Sequence, residues 1–124
     1  FNKGEIKKRF RNIVEFAGME QFLDVKVKNF SSGMKARLAF AIAKESAADI
    51  YLCDEILAVG DESFQQKCLQ VFAEWKKEGK TIIFVSHNAS LITQFCERAI
   101  FIDKGKIMSE GKPQEVLEKY HALP

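Results

Sequence analysis

The residues best placed to do chemistry fall into separate groups along the chain. Ile50-Tyr51-Leu52-Cys53 is an apolar run that ends in adjacent carboxylates, Asp54 and Glu55. Acids at the rim of a buried strand call for something positive or polar to meet them, unless they simply close a solvated strand end. Phe30-Ser31-Ser32-Gly33-Met34-Lys35-Ala36-Arg37 reads as a helix start with Ser31 or Ser32 as its N-cap. That start carries Lys35 and Arg37 and no acid before Glu45, although the positive end of a helix dipole ordinarily favours Asp or Glu. Backbone N–H groups, hydroxyls, a glycine and nearby cations suit an anion there. The alternative is a serine-capped helix with incidental basic residues. Ser86-His87, after the β-rich run 81–85, adds an imidazole. Alone after a strand it would read as a surface residue, but beside a carboxylate pair at a shared ligand edge it reads as functional.

The elements that must position these groups follow from periodicity. Strand 50–53, a helix over 62–78 with Phe64, Cys68, Leu69, Val71, Phe72 and Trp75, and a strand over 81–85 make a βαβ unit. Its strands are parallel and its crossover right-handed. On that topology Asp54, Glu55 and His87 emerge at one sheet edge, where open α/β sheets place their ligands. The unbroken apolar run predicts that the first strand is buried on both faces. Upstream, Ile6, Phe10, Ile13, Val14 and Ala17 form a helical stripe over 3–18, opposite Lys7, Lys8, Arg9 and Arg11, with Gly18 as its stop. From Ser32, a helix places Met34, Leu38, Ala41 and Ile42 on one face. Downstream come a short helix over 88–96, a hairpin of 99–102 and 106–108 turning at Asp103-Lys104-Gly105, and a last helix opened by Pro113 with Val116, Leu117 and Tyr120 apolar. Gly79-Lys80-Thr81 imitates the end of a phosphate-binding loop, but position 74 is Glu and a strand follows; it is a turn.

Composition narrows the class. With 124 residues, 47% hydrophobic and 29% charged, the chain is sized and composed for one soluble globular core. A net charge of +2 is too small to argue for nucleic acid or an acidic membrane surface. Cys53, Cys68 and Cys96 are widely spaced in apolar patterns and read as reduced core residues without metal spacing. No stretch approaches a membrane span or a secretory signal. The chain opens on Phe1, which reads as a portion of something longer.

Taken together, Phe30–Arg37, the apolar strand ending in Asp54-Glu55 with Asp61, and Ser86-His87 resemble the second half of an ABC-type ATPase domain: signature, Walker B strand, D-loop and switch histidine in that order. The resemblance runs through essentially the whole chain. The signature departs from the commonest Leu-Ser-Gly-Gly-Gln form, with Phe30 for Leu, Ser32 for the first Gly and Met34 for Gln. This variant, with Asp54-Glu55-x-Leu57-Ala58-Val59-Gly60-Asp61, is similar to exporters of bacterial surface polysaccharides such as O-antigen, capsule or teichoic acid.

The resemblance implies an α/β, P-loop NTPase-like fold: parallel strands with flanking helices, part of a helical subdomain, and a C-terminal β-hairpin and helix. Residues 1–48 would belong to the helical subdomain with the signature, and 49–124 to the C-terminal half of the ATPase core. It implies ATP and Mg²⁺ as ligands, with Asp54 at the metal and Glu55 on the attacking water. His87 would be the γ-phosphate sensor. Ser31, Ser32, Gly33 and Met34 would clamp an ATP on the opposite subunit, and Asp61 would lie at the dimer interface. The implied partners are a second ATPase subunit in a homodimer and a transmembrane permease, without nucleic acid, at the cytoplasmic face of the membrane. No Walker A loop is present in these residues, so the expectation is a fragment with negligible ATPase activity alone and exposed sheet edges that invite self-association. The competing expectations are a non-transport ABC protein acting on DNA or ribosomes, and a catalytically inactive interaction module.

Overall fold

A computed structural model of the chain describes residues 2–55 and 61–122. Helix α1 (Lys3–Ala17) begins at a capping box: the Asn2 side chain accepts from the N–H groups of Gly4 and Glu5, and Glu5 accepts from the Asn2 N–H at 2.7 Å. It ends at Gly18, whose φ of 65° lets the Gly18 and Met19 N–H groups turn back to the carbonyls of Glu15 and Val14. Two short 3₁₀ turns, Glu20–Phe22 and Val27–Asn29, lead to helix α2 (Ser32–Glu45). Strand β1 (Ile50–Asp54), helix α3 (Glu62–Lys77) and strand β2 (Thr81–Val85) follow. β1 and β2 pair in a two-stranded sheet, joined by the long helical crossover that parallel strands require. Gly79, with φ 74°, ends α3 and turns the chain into β2, so Gly79-Lys80-Thr81 is the turn its context predicts.

The chain divides into two compact units, Phe1–Ile83 and Phe84–Pro124. In the first, α2 is the shared wall. Its Ala41 packs against Ile13, Val14, Ala17 and Met19, with Phe16, Phe30, Met34 and Leu38 closing the margin. Its Phe40, 1% exposed, contacts Phe16, Phe64, Phe72 and Trp75 with ring centroids 5.7–6.1 Å apart. Those are the separations at which aromatic pairs add to their area burial. Trp75 of α3 then stacks on Tyr51 of β1 at 3.7 Å, which seats the helix on one face of the strand.

The other face of β1 differs from expectation. Tyr51 and Cys53 are buried, but Ile50 and Leu52 are 60% and 76% exposed, and Ile83 of β2 is 53% exposed. The apolar run therefore does not mean burial on both faces within this chain. Successive side chains leave a strand on opposite sides, and α3 supplies cover on one of them. The α1 stripe is corrected in the same way. Ile13, Val14 and Ala17 are core, whereas Ile6 and Phe10 lie about half exposed.

The second unit contains helix α4 (Ala89–Phe95), capped by Asn88, the antiparallel hairpin of β3 (Ala99–Asp103) and β4 (Lys106–Gly111), and helix α5 (Pro113–His121) with Pro113 in its first turn. Lys104 and Gly105 both have positive φ, 45° and 75°, which matches a two-residue loop to the strand twist. β4 runs further than the sequence suggests, because the ladder continues to Ala99 opposite Gly111 past an irregularity at Phe101/Ile102. Phe101 meets Tyr120 of α5 edge-on at 5.2 Å. Ile102 and Ile107, on the strands, stay more than 60% exposed.

Cys53 and Cys68 are buried free thiols; Cys96 is half-buried. Burial pushes the Cys53 thiol up to about 11 and the Cys68 thiol up to about 12. A raised pKa keeps both protonated at neutral pH, and the thiolate is the reactive form. In a native thiol-labelling assay near neutral pH, Cys53 and Cys68 are expected to react only on unfolding. Rapid native labelling of either, located by peptide mapping, would contradict the packing.

Candidate functional site

Ser31 caps α2 by accepting a hydrogen bond from the Met34 N–H at 3.1 Å. Lys35 N–H bonds back to the Ser31 carbonyl. The amides of Ser32 and Gly33 belong to the first turn, where a helix has no acceptor of its own to offer. Ser31 and Ser32 are exposed, and Gly33 and Met34 half-buried. The first turn contains no acid. Gly33 is the unusual member. A Cβ built there would meet nothing closer than Ser31 Oγ at 3.9 Å, and its φ lies outside the left-handed region. Glycine in a helix costs up to about 1 kcal/mol relative to alanine, and no contact among the described residues requires it.

Asp54 ends β1 with an exposed side chain, and Glu55 follows with φ 47° and a half-buried side chain. That left-handed backbone is uncommon for a residue with a Cβ; it turns the chain sharply away from the strand. Among the described residues no three His, Cys, Asp or Glu stand together as a metal cage. The Asp54 and Glu55 carboxylates at the strand end are hard oxygen donors. Ile56 to Gly60, including the Leu57-Ala58-Val59-Gly60 stretch of the expected D-loop, lie outside the described residues.

Asp61 caps α3. One carboxylate oxygen accepts from the Phe64 N–H and the Ser63 hydroxyl, both at 2.9 Å, and the other pairs with Arg37 of α2 at 2.7 Å. The Phe64 N–H, then Ser63 and Arg37, hold the Asp61 carboxyl below its usual range. Because the folded value is depressed, the stabilisation is present above the usual aspartate pKa and is lost as pH falls through the folded value. The pairing revises one expectation. Arg37 is directed to Asp61 and over the Phe64 ring, 5.2 Å from its centroid, rather than to the tip of α2. Sequence offered no local signal for it, because the partners are 24 positions apart.

His87 is exposed and stands in the second unit, in a tight turn where the Asn88 N–H donates to Ser86 Oγ at 3.0 Å and Asn88 caps α4. The structure therefore gathers Ser31, Ser32, Gly33, Met34 and, through Arg37, Asp61 in the first unit. Asp54 and Glu55 sit in that same unit at the end of β1, and His87 belongs to the other.

No family model matches the chain. Over 116 residues it is 40% identical to the O-antigen export system ATP-binding protein RfbB of Klebsiella pneumoniae, covering 94% of this chain and 47% of that protein. It is 43% identical over 120 residues to the teichoic acids export ATP-binding protein TagH of Staphylococcus haemolyticus, covering 97% and 46%. Among solved structures it is similar to a dimeric ATP-binding cassette in a post-hydrolysis state bound to ADP and Pi. That match has a TM-score of 0.75 and 27% identity, over 91% of this chain and 49% of that one. The chain spans about half the length of the relatives it matches.

Proposed function

We infer from these comparisons that the chain belongs to the ABC transporter ATP-binding proteins, and we propose that it carries the signature-bearing C-terminal half of an ATP-hydrolysing exporter subunit. The observation that carries this reading is the exposed start of α2. Among the described residues nothing calls for its Gly33 or its acid-free first turn, which suit the phosphates of a nucleotide held by another subunit. Ser31 and Ser32 would add hydroxyl donors there, and Met34 closes the turn. Asp54 would hold the Mg²⁺, which neutralises charge on the phosphates when bound. Glu55 would orient the attacking water and take up its proton. His87 would contact the γ-phosphate and register its loss, and Asp61 would lie at the interface between two ATPase subunits.

Phosphoryl transfer needs little beyond positioning and charge neutralisation, so these few groups suffice once the rest of the subunit supplies the phosphate cradle. The names of the relatives, O-antigen and teichoic acid exporters, support a bacterial surface polysaccharide as cargo. A homodimer of ATPase subunits bound to a transmembrane permease on the cytoplasmic side of the membrane follows from that reading. No helix among the described residues is long and apolar enough to cross a membrane.

The test compares two preparations. The full-length subunit is expected to hydrolyse ATP with Mg²⁺ and to co-purify with a membrane permease, while residues 1–124 alone show negligible turnover. A full-length subunit that hydrolyses no ATP with its permease, or that co-purifies with nucleic acid instead, would overturn the reading.

A further inference from the structure

We propose that the first half of α1 is a membrane-contact surface whose ligand is a plane of anionic phospholipid headgroups. The inference goes beyond the ATPase reading, since it concerns a face remote from the start of α2. Arg9 donates to the Glu45 carbonyl, so this half of α1 lies by the end of α2 opposite Ser31. The apolar stripe of α1 continues into it uncovered: Ile6 is 46% exposed and Phe10 50%. Leu23, 54% exposed, extends the apolar surface across a depression of about 360 Å³ that Phe10 and Val14 also line.

Cations flank the stripe. Lys3, Lys7 and Arg11 recur every four residues and share one face of α1. Lys3 neighbours Ile6 and Lys7 neighbours Phe10, each three positions on. Residues 3–11 hold five basic side chains against Glu5 alone, and Glu5 is turned back onto the Asn2 N–H. Arg9 is taken up by Glu45, and Arg11 shares the rim of the depression with Glu15 and Glu20. Lys3 and Lys7 are exposed and have no ion pair among the described residues. A net charge of +2 over the whole chain would not draw it to an acidic surface; this local concentration would. A regular row of cations beside exposed apolar side chains is the pattern of a helix lying in a membrane interface. From Lys3 to Arg11 the row spans about 12 Å, more than one carboxylate could satisfy. A headgroup plane therefore suits it better than an acidic side chain on a protein partner.

The test is co-sedimentation of the full-length subunit, without permease or ATP, with vesicles. One set is phosphatidylcholine alone and the other holds phosphatidylglycerol in equal part. Binding is expected to the anionic set only, and to fall away in roughly 1 M salt, where the Debye length is about 3 Å. Each cation near an anionic surface is worth about fivefold in partitioning, so Lys3→Gln/Lys7→Gln should bind about twentyfold more weakly. Phe10→Ala should lose about fivefold, for half of an aromatic side chain returned to water. Lys106→Gln/Lys119→Gln, an equal loss of charge from exposed positions of the second unit, should bind as the wild type does. Glutamine forms helix about as well as lysine, so the α1 variant should keep its circular dichroism spectrum. No binding, equal binding to both vesicle sets, or equal losses in the two lysine variants would overturn the proposal. So would loss of permease from the Lys3→Gln/Lys7→Gln subunit with vesicle binding intact, which would make the face a protein contact. ATP turnover of the wild-type subunit reports separately on the ATPase reading, so either reading can fail without the other.

Discussion

Replacing Glu55 by glutamine in the full-length subunit is expected to lower ATP turnover about a hundredfold or more, the usual contribution of a positioned general base. KM for ATP should change little, because the amide keeps the size of the carboxylate while losing its charge and its ability to take a proton. Nucleotide would then accumulate unhydrolysed between paired subunits, so size-exclusion chromatography with Mg-ATP should show a dimer that the wild type forms only briefly. The backbone should tolerate the change. The φ of 47° at Glu55 is a feature of the backbone, and glutamine meets it with the same side-chain bulk. Asp54→Asn is the contrasting variant: removing a carboxylate from the cation should raise the Mg²⁺ concentration needed for half-maximal turnover. If Glu55→Gln retained turnover within about twofold of wild type, the water-orienting role would have to move to another residue.

What the sequence disclosed about this site follows a physical division. Features set within a few residues were legible. Ser31 caps α2, Gly18 stops α1, Pro113 opens α5 and Lys104-Gly105 turns the hairpin, because each depends on local backbone preferences. Burial was legible only in part. A stripe such as Ile6, Phe10, Ile13, Val14 and Ala17 says which residues share a face, while Ala41 and its neighbours on α2 decide how much of that face is covered. Ile50 and Leu52 mark the same limit on β1. The β4 end at Gly111 was hidden because the partner strand sets it. Least legible was the Arg37–Asp61 pair, whose members stand 24 positions apart. The roles given to Glu55 and His87 come from motif resemblance; the fold supplies Glu55 with an unusual backbone and His87 with a braced turn.

Gly33 separates what α2 needs from what its ligand needs, since one change there should move stability and activity in opposite directions. Among the described residues an added Cβ meets only Ser31 Oγ, at an ordinary contact distance of 3.9 Å, on an ordinary backbone. Gly33→Ala should therefore hold or raise the unfolding midpoint, by up to about 1 kcal/mol, through helix propensity and a less mobile unfolded chain. Gly33→Asp should also be tolerated, because a carboxylate in the first turn complements the helix dipole by about 0.3–1 kcal/mol. Toward a phosphate the same substitution is adverse. Unit charges ~4 Å apart repel by ~4 kcal/mol at an effective dielectric of about 20, a factor on the order of a thousand in binding. The full-length Gly33→Asp subunit should thus fold, dimerise poorly with ATP and lose nearly all turnover, with Gly33→Ala impaired less. Urea unfolding of the chain and ATP turnover of the full-length subunit measure the two arms. If Gly33→Asp retained wild-type turnover, the start of α2 would not face a nucleotide; if Gly33→Ala unfolded the helix, the glycine would owe its place to packing rather than to a ligand.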